Sequence, residues 1–422
     1  MLTKYIKEEV KNILLIPSWL PGEGILKVNG IFSIHQAEII NRLSRRYRPI
    51  ILDWGQGREY VPLSRPWELR RWTKARRLLG DARFDHMNGV MRVCMRPPIM
   101  WSHQLPLGGH QKLIPRVIAV LEDILYQKGI ELNLIHAHVS YPGGFLASKI
   151  SERLRIPYVL TEFMGPFPFH HFKRSQSVYN KCIADPIRGA SANLVLSEYL
   201  LKQYNLLGLP KPQVVPFSVD GSRFKLSGEH GEASGMSPIR NKETKLIFVG
   251  SIIREKGVGD LLQAIRLVRD TGRRVKLEIV GGGKEISYFK KLSDELSIQD
   301  IVEWKGLVDN QDLPEMMQAA DLFVMPSWHD TFGVVYIEAM ACGLPIVATR
   351  CGGPDSFITD EIGKLVPIKS PAKLAVAIGE VVDNISGYHR KDIRRAFEAN
   401  FSDQSVVEKL ELVYDQVLKK QT

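Results

Sequence analysis

The stretch Lys245-Leu246-Ile247-Phe248-Val249-Gly250-Ser251-Ile252-Ile253-Arg254-Glu255-Lys256-Gly257 reads as a strand ending in glycine, a short loop carrying cations, and a second glycine that opens an amphipathic helix. A strand, a tight turn and a helix in succession form the repeating unit of a parallel sheet, because a crossover returns the chain to run in the same direction. Downstream the rhythm repeats, with strands expected at Lys276–Val280, Ile301–Trp304, Leu322–Met325, Ile346–Ala348 and Lys364–Val366. Upstream the same alternation places strands at Asn12–Ile16, Pro49–Leu52, Leu132–His136, Tyr158–Thr161, Leu194–Ser197 and Val214–Val215. The expected class is α/β, with parallel sheets in both halves.

A chain of 422 residues, 44% of them hydrophobic, exceeds one compact core and suits two domains. Between the halves Ser227-Gly228-Glu229-His230-Gly231-Glu232-Ala233-Ser234-Gly235-Met236-Ser237-Pro238 has no apolar period and reads as an exposed linker. The domains are therefore expected over 1–226 and 241–402, joined by a linker over 227–240, with a terminal helix over 403–422. That helix, Gln404–Lys419, carries a broad apolar face of Val406, Val407, Leu410, Leu412, Val413, Val417 and Leu418, which must dock on something. No run approaches the roughly 20 apolar residues that span a bilayer, and Met1–Val10 is charged, so a soluble, cytoplasmic protein is expected. Cys94, Cys182, Cys342 and Cys351 lack metal-ligand spacing and read as reduced packing residues.

The net charge of +11 calls for an anionic partner. The segment Arg65-Pro66-Trp67-Glu68-Leu69-Arg70-Arg71-Trp72-Thr73-Lys74-Ala75-Arg76-Arg77 interleaves tryptophan with basic residues, a composition that suits either a solvated basic helix or an anionic membrane surface. No nucleic-acid module is recognisable, so nucleic acid is the weaker partner.

In open parallel sheets ligands sit at the carboxyl ends of strands. There Gly250, Arg254 and Lys256, with a helix N-terminus behind them, form a positive pocket suited to a diphosphate. After the strand Leu322–Met325 the loop carries Asp330, and Glu338 follows within the apolar run Val334, Val335, Ile337, Ala339, Met340. An ionised carboxylate in such company is costly without strong partners, and two vicinal hydroxyls such as those of a ribose would serve. Backbone amides at Phe332, Gly333 and Val334 would face an anion or hydroxyl. In the first half, His136 and His138 alternate on one face at a strand's end, and Gly30 opens a helix after a loop rich in Gly, Pro and Trp. The turn Val280-Gly281-Gly282-Gly283-Lys284 lacks dinucleotide spacing, and no two aspartates lie two residues apart as a short acidic metal motif would need, so no metal or cofactor is expected.

These residues resemble the retaining glycosyltransferases of the GT-B fold, family four. The likeness is carried by Ile16-Pro17-Ser18-Trp19 with Gly30-Ile31-Phe32, by His136-Ala137-His138, by Val215-Pro216-Phe217-Ser218-Val219-Asp220, and by nearly all of the second half. The resemblance implies two Rossmann-like domains facing each other across a cleft, with the terminal helix docking back on the first. It also implies that Lys256 holds donor phosphates, Asp330 contacts the sugar, Glu338 contacts the ribose, and His138 approaches the transferred sugar. The chain departs from the family pattern at Ser251, where arginine is common, at Asp330, usually glutamate, and at Phe163, often histidine.

The expected activity is transfer of a hexose-type sugar, with retention and without metal, from a nucleotide diphosphate to a saccharide or lipid-linked saccharide in cell-surface polysaccharide synthesis. A sugar-nucleotide epimerase on the same fold and a non-enzymatic basic nucleic-acid-binding protein are the alternatives.

Overall fold

The computed structural model describes residues 10–20, 31–54, 82–95, 109–165, 167, 181–227 and 243–421, side chains of 109–113 excepted. Gly30, the basic segment 65–77 and all but the first residue of the expected linker lie outside the described residues. The chain divides into two compact units: 1–196, 200–215 and 407–422 in the first, 197–199 and 216–406 in the second.

The first unit holds β1 (Lys11–Ile16), β2 (Tyr47–Asp53), β3 (Arg83–Met87), β4 (Val90–Cys94), β5 (Leu134–His138), β6 (Tyr158–Glu162), β7 (Ala192–Val195) and β8 (Gln213–Val214), in the order β3-β4-β2-β1-β5-β6-β7-β8. All pairs are parallel except β3 with β4. That hairpin is absent from the sequence reading, although its signal is present. Asn88 and Gly89 both take positive φ, 50° and 80°, which is the Asn-Gly turn that closes two-residue hairpins. Asp85 pairs with Arg92 across the hairpin through two bonds of 2.7 Å.

β5 runs two residues later than Leu132–His136 because Asn133 stands at its entrance, its side-chain oxygen accepting the Asn12 N–H at 2.7 Å. The displacement leaves both histidines on one face and puts His138 at the strand's final position.

The terminal helix Asp403–Lys419 packs, from Val407 onward, with the first unit. Its buried stripe of Val407, Leu410, Val413, Tyr414 and Val417 explains the apolar period seen in the sequence. Its flank is pinned by Arg46, which reaches Glu411 at 2.5 Å and also binds Asp415, while Tyr47 donates its hydroxyl to Asp415.

The second unit contains β9 (Thr244–Val249), β10 (Val275–Val280), β11 (Val302–Gly306), β12 (Leu322–Met325), β13 (Ile346–Thr349) and β14 (Gly363–Val366), all parallel, in the order β11-β10-β9-β12-β13-β14. This is the doubly wound order of a Rossmann domain, in which the crossovers change direction between the first strand and the fourth. The first sheet has the same switch between β1 and β5. Residues 216–226, read as part of the first domain, join the second unit. Val219 N–H donates to Phe401 O at 3.1 Å, and Arg394 donates to the carbonyls of Phe224 and Gly221 at 2.6 and 3.1 Å.

Candidate active site

At the switch point of the second sheet, β9 and β12 deliver their loops side by side. The β9 loop closes in a single tight turn, Arg254–Lys256, followed by the helix Val258–Asp270. Gly257 makes this possible: its φ is +70°, and a Cβ there would lie 1.9 Å from Pro326 O in the β12 loop. The two loops are stitched further by Trp328 N–H, which donates to Glu255 O at 2.8 Å.

Lys256 and Asp330 thereby meet. Lys256 Nζ donates to Asp330 Oδ2 at 2.8 Å, with 24% and 15% of the two side chains exposed. Asp330 is fixed through its backbone as well, its N–H donating to Cys351 O at 3.1 Å and its carbonyl accepting from Gly353 N–H at 2.8 Å. The sequence placed these residues in one site, and the structure brings them into direct contact.

Gly333, at φ +82°, turns the chain into the helix Val334–Ala341, whose first turn no side chain caps. Its leading amides, including Val334, are left for solvent or a ligand. Phe332 itself is core, its ring meeting Phe217, Phe357 and Phe401, so only its backbone can serve the site.

One turn along, Glu338 is half-buried, and no hydrogen bond or salt bridge engages its carboxylate among the described residues. Burial pushes its pKa up to about 7, with the positive charge of Arg223 pulling the other way. No motif points to Arg223, which lies in the exposed approach to the linker and is placed by its bond to Asn310 O at 2.6 Å.

Arg254 does not join Lys256. Its guanidinium lies 3.6 Å from Glu285 and 5.5 Å from the Tyr288 ring centre, and 61% of it is exposed. Ser251 is exposed. At Gly250 a Cβ would meet nothing nearer than Phe248 at 3.5 Å, so the close approach belongs to its neighbour. A Cβ on Gly281, at φ +139°, would lie 1.9 Å from Gly250 O. The triple-glycine turn, which carries no cofactor signature, is what lets the β10 loop lie flat against the β9 loop; Ile252 N–H donates to Gly282 O at 2.9 Å.

In the first unit, His136 and His138 are both fully buried. His136 is a satisfied core residue, Nδ1 bonded to Tyr414 Oη and Nε2 to Thr161 Oγ1, each at 2.7 Å. This corrects its reading as an acceptor contact: neither ring nitrogen is free. His138 Nε2 is bonded to Gln36, its Nδ1 has no partner among the described residues, and burial pushes its pKa down to about 3, so the ring is neutral. Phe163, at the family's histidine position, packs 6.1 Å from His138. Cys342 and Cys351 are free thiols that burial pushes up to about 12, as packing residues should be.

Residues 232–398 match the family described as "Glycosyl transferases group 1". A putative teichuronic acid biosynthesis glycosyltransferase, TuaC, of Bacillus subtilis (strain 168) is 29% identical over 62% of this chain and 64% of its own length. The alignment thus spans just under two thirds of that relative. A D-inositol 3-phosphate glycosyltransferase of Corynebacterium jeikeium (strain K411) is 27% identical over 69% of this chain and 74% of its own. Among solved structures, Anabaena HepE in complex with UDP superposes with a TM-score of 0.66 at 17% identity, covering 96% of this chain and all of that one. At that identity the superposition speaks for the fold, which is that of the GT-B glycosyltransferases.

Proposed function

Because the chain carries a glycosyl transferases group 1 domain, we propose that it moves a hexose-type sugar from a nucleotide diphosphate donor to a saccharide or lipid-linked saccharide, with retention of configuration. The observation that carries this reading is the Lys256–Asp330 pair and the unengaged Glu338 carboxylate, gathered at the carboxyl ends of β9 and β12. The HepE complex with UDP and the TuaC name support a nucleotide donor and a place in cell-surface polysaccharide synthesis.

In this reading the diphosphate lies against the Arg254–Lys256 turn and the amides after Phe332. Lys256 leaves Asp330 to meet the charge that grows on the departing phosphate, and Asp330 is released toward the sugar. Glu338, ionised, accepts two ribose hydroxyls. Departure of the diphosphate leaves an electron-poor anomeric carbon. The acceptor hydroxyl then adds on the face just vacated, giving its proton to a phosphate oxygen. Arg254 serves as the second cation once it leaves Glu285.

Calorimetric titration with UDP, GDP, ADP and dTDP tests the donor site. One nucleotide should bind, and more weakly to Lys256→Ala and Glu338→Ala; binding of none would overturn the reading. The metal-free route requires turnover to persist in excess chelator, and its loss there, restored by a divalent cation, would refute that part.

For the acceptor, we propose docking of the basic segment 65–77 on anionic lipid at the cytoplasmic membrane face. No helix among the described residues is long and apolar enough to cross a membrane. Sedimentation with phosphatidylglycerol vesicles at low salt, and its loss at high salt, is the expected outcome; no sedimentation would exclude docking by charge.

A further inference from the structure

Trp328 lies in the β12 loop two residues before Asp330, yet no part of the proposed chemistry uses it. Its indole N–H donates to Asp260 Oδ2 at 2.7 Å, in the first turn of the helix that follows Lys256. Its backbone N–H holds Glu255 O, inside the Lys256 turn. On its face sits Lys369 Nζ, 4.4 Å from the ring centre and delivered by the loop after β14. The adjoining Ser327 carbonyl accepts a hydrogen bond from the Thr349 hydroxyl at the end of β13. One residue thus touches the turn and helix after β9, by its backbone and its indole, and the loop after β14, from its own position after β12.

The local geometry makes this consequential. The turn Arg254–Lys256 is a single 3-10 turn with no buried residue, so little of its own packing holds it. Within the turn Lys256 N–H donates to Ile253 O at 3.1 Å and Gly257 N–H to Arg254 O at 2.8 Å; from outside, Arg254 N–H donates to Glu285 at 2.8 Å and the Ser327 hydroxyl to Glu255 O at 3.3 Å, so the turn takes its position from the groups around it. The tie from Trp328 to Asp260 anchors the helix that leaves the turn, and the tie to Glu255 anchors the turn itself. An indole N–H given to a carboxylate is a charge-assisted bond, and half-buried it is worth more than an exposed ion pair.

We infer that Trp328 is a positioning residue, which through its bond to Asp260 holds the Lys256 turn in register with Asp330. The inference rests on the donor-site reading of Lys256, and its first test is independent of that reading.

Hydrogen–deuterium exchange compares the unliganded wild-type chain with Trp328→Phe, which keeps a ring and loses the donor, and with Asp260→Ala, which loses the acceptor. Both variants should raise exchange of the 254–257 amides about tenfold, the equivalent of one charge-assisted bond. The double variant should be no worse than either single one, and Asp260→Asn, whose side-chain oxygen still accepts but carries no charge, should recover part of the protection that Asp260→Ala loses. Unchanged exchange in Trp328→Phe, or effects of the two changes that simply add, would overturn the inference, whatever the nucleotide experiments show.

The second test titrates UDP, GDP, ADP and dTDP. With the nucleotide that the wild type binds, Trp328→Phe should lose about tenfold in affinity, and in a Lys256→Ala background it should lose nothing further. Full additivity would mean that Trp328 does not act through Lys256. Failure of the wild type to bind any nucleotide would overturn the donor-site reading and leave the exchange experiment to decide the role of Trp328.

Discussion

His136 and His138 at the end of β5, and Asp330 and Glu338 after β12, occupy the same topological place in the two sheets. The histidines lie in, and the carboxylates follow, the strand beside the first strand, at the point where the crossovers reverse. Their fates differ. The histidines lose all their surface, and His136 spends both nitrogens on Thr161 and Tyr414. The carboxylates stay partly exposed; Asp330 is matched with a lysine, and Glu338 holds a carboxyl that burial raises to about 7 without a hydrogen-bonding partner among the described residues. A polar group whose bonds are all met inside the fold contributes to stability. One buried without them is a standing cost, and such a cost suits a site that a ligand relieves. The contrast predicts that substitutions at β12 and its partner loop change activity more than stability, and that a substitution at His136 does the reverse; His138, whose Nδ1 is buried without a partner among the described residues, falls with the site residues.

The largest effect that would break this contrast is at Lys256. Replacing it with alanine should lower sugar transfer by about a hundredfold or more, the usual loss for a group that meets charge at the leaving atom. Stability should change by less than about 1 kcal/mol, because the Lys256–Asp330 pair is still reached by water. Initial rates of nucleotide release together with urea unfolding measure both; a large stability loss with normal rates would invert the comparison.

At His136 the expectation is reversed. His136→Ala opens a cavity and strands Thr161 and Tyr414 in the interior, which should cost about 3 kcal/mol in unfolding free energy. Transfer per folded molecule should stay within about twofold of wild type, since the effect of such a core change falls on stability.

Glu338 gives the pH signature. The unfolded carboxyl ionises around 4.5, and the folded one near 7. Between these values the native state holds a proton that the unfolded chain has released, so raising the pH across that window weakens the fold, by up to about 3 kcal/mol at 1.36 kcal/mol per unit. The stabilisation is full below the lower value and gone above the upper. Glu338→Gln should flatten this slope. Nucleotide affinity should run the other way in the wild type, rising with pH through about 7, because only the ionised carboxylate accepts two hydroxyls. Affinity that does not vary with pH would separate Glu338 from the ribose.

Much of this was legible beforehand. Both sheets follow from strand runs such as Lys245–Val249 and Tyr158–Thr161, because strands buried on both faces must be continuously apolar. That Lys256 and Asp330 lie in one region followed from the rule that places ligands at carboxyl strand ends; that the two side chains pair with each other did not. What the sequence hid is of two kinds. The hairpin Arg83–Cys94 was announced only by Asn88-Gly89, between strands whose exposed edge lacks an apolar run. The fates of His136, Arg223 and Arg254 depend on partners far along the chain: Tyr414 lies 278 residues from His136, and Asn310 lies 87 from Arg223. Residue type announces that a histidine is polar, and only the fold decides what satisfies it.

The smallest predicted effect is the sharpest test of the β5 half of the comparison. Tyr414 hydroxyl meets His136 Nδ1 at 2.7 Å, and its ring stacks edge-on against both His136 and Tyr47, at 5.6 and 5.2 Å between centres. Tyr414→Phe keeps both ring contacts and removes one oxygen, leaving His136 Nδ1 buried with no partner. The cost should be about 1 to 2 kcal/mol, the desolvation of one stranded polar atom. In a chain that already carries His136→Ala, the same change should cost almost nothing, because the tyrosine hydroxyl has lost its partner already. A double-mutant cycle in urea therefore isolates the bond that ties the terminal helix to β5. A coupling near zero would mean that the helix is held by its apolar stripe and by the bonds of Ser44, Arg46 and Tyr47 to Glu411 and Asp415, and that the histidine pair is buried for a reason other than docking.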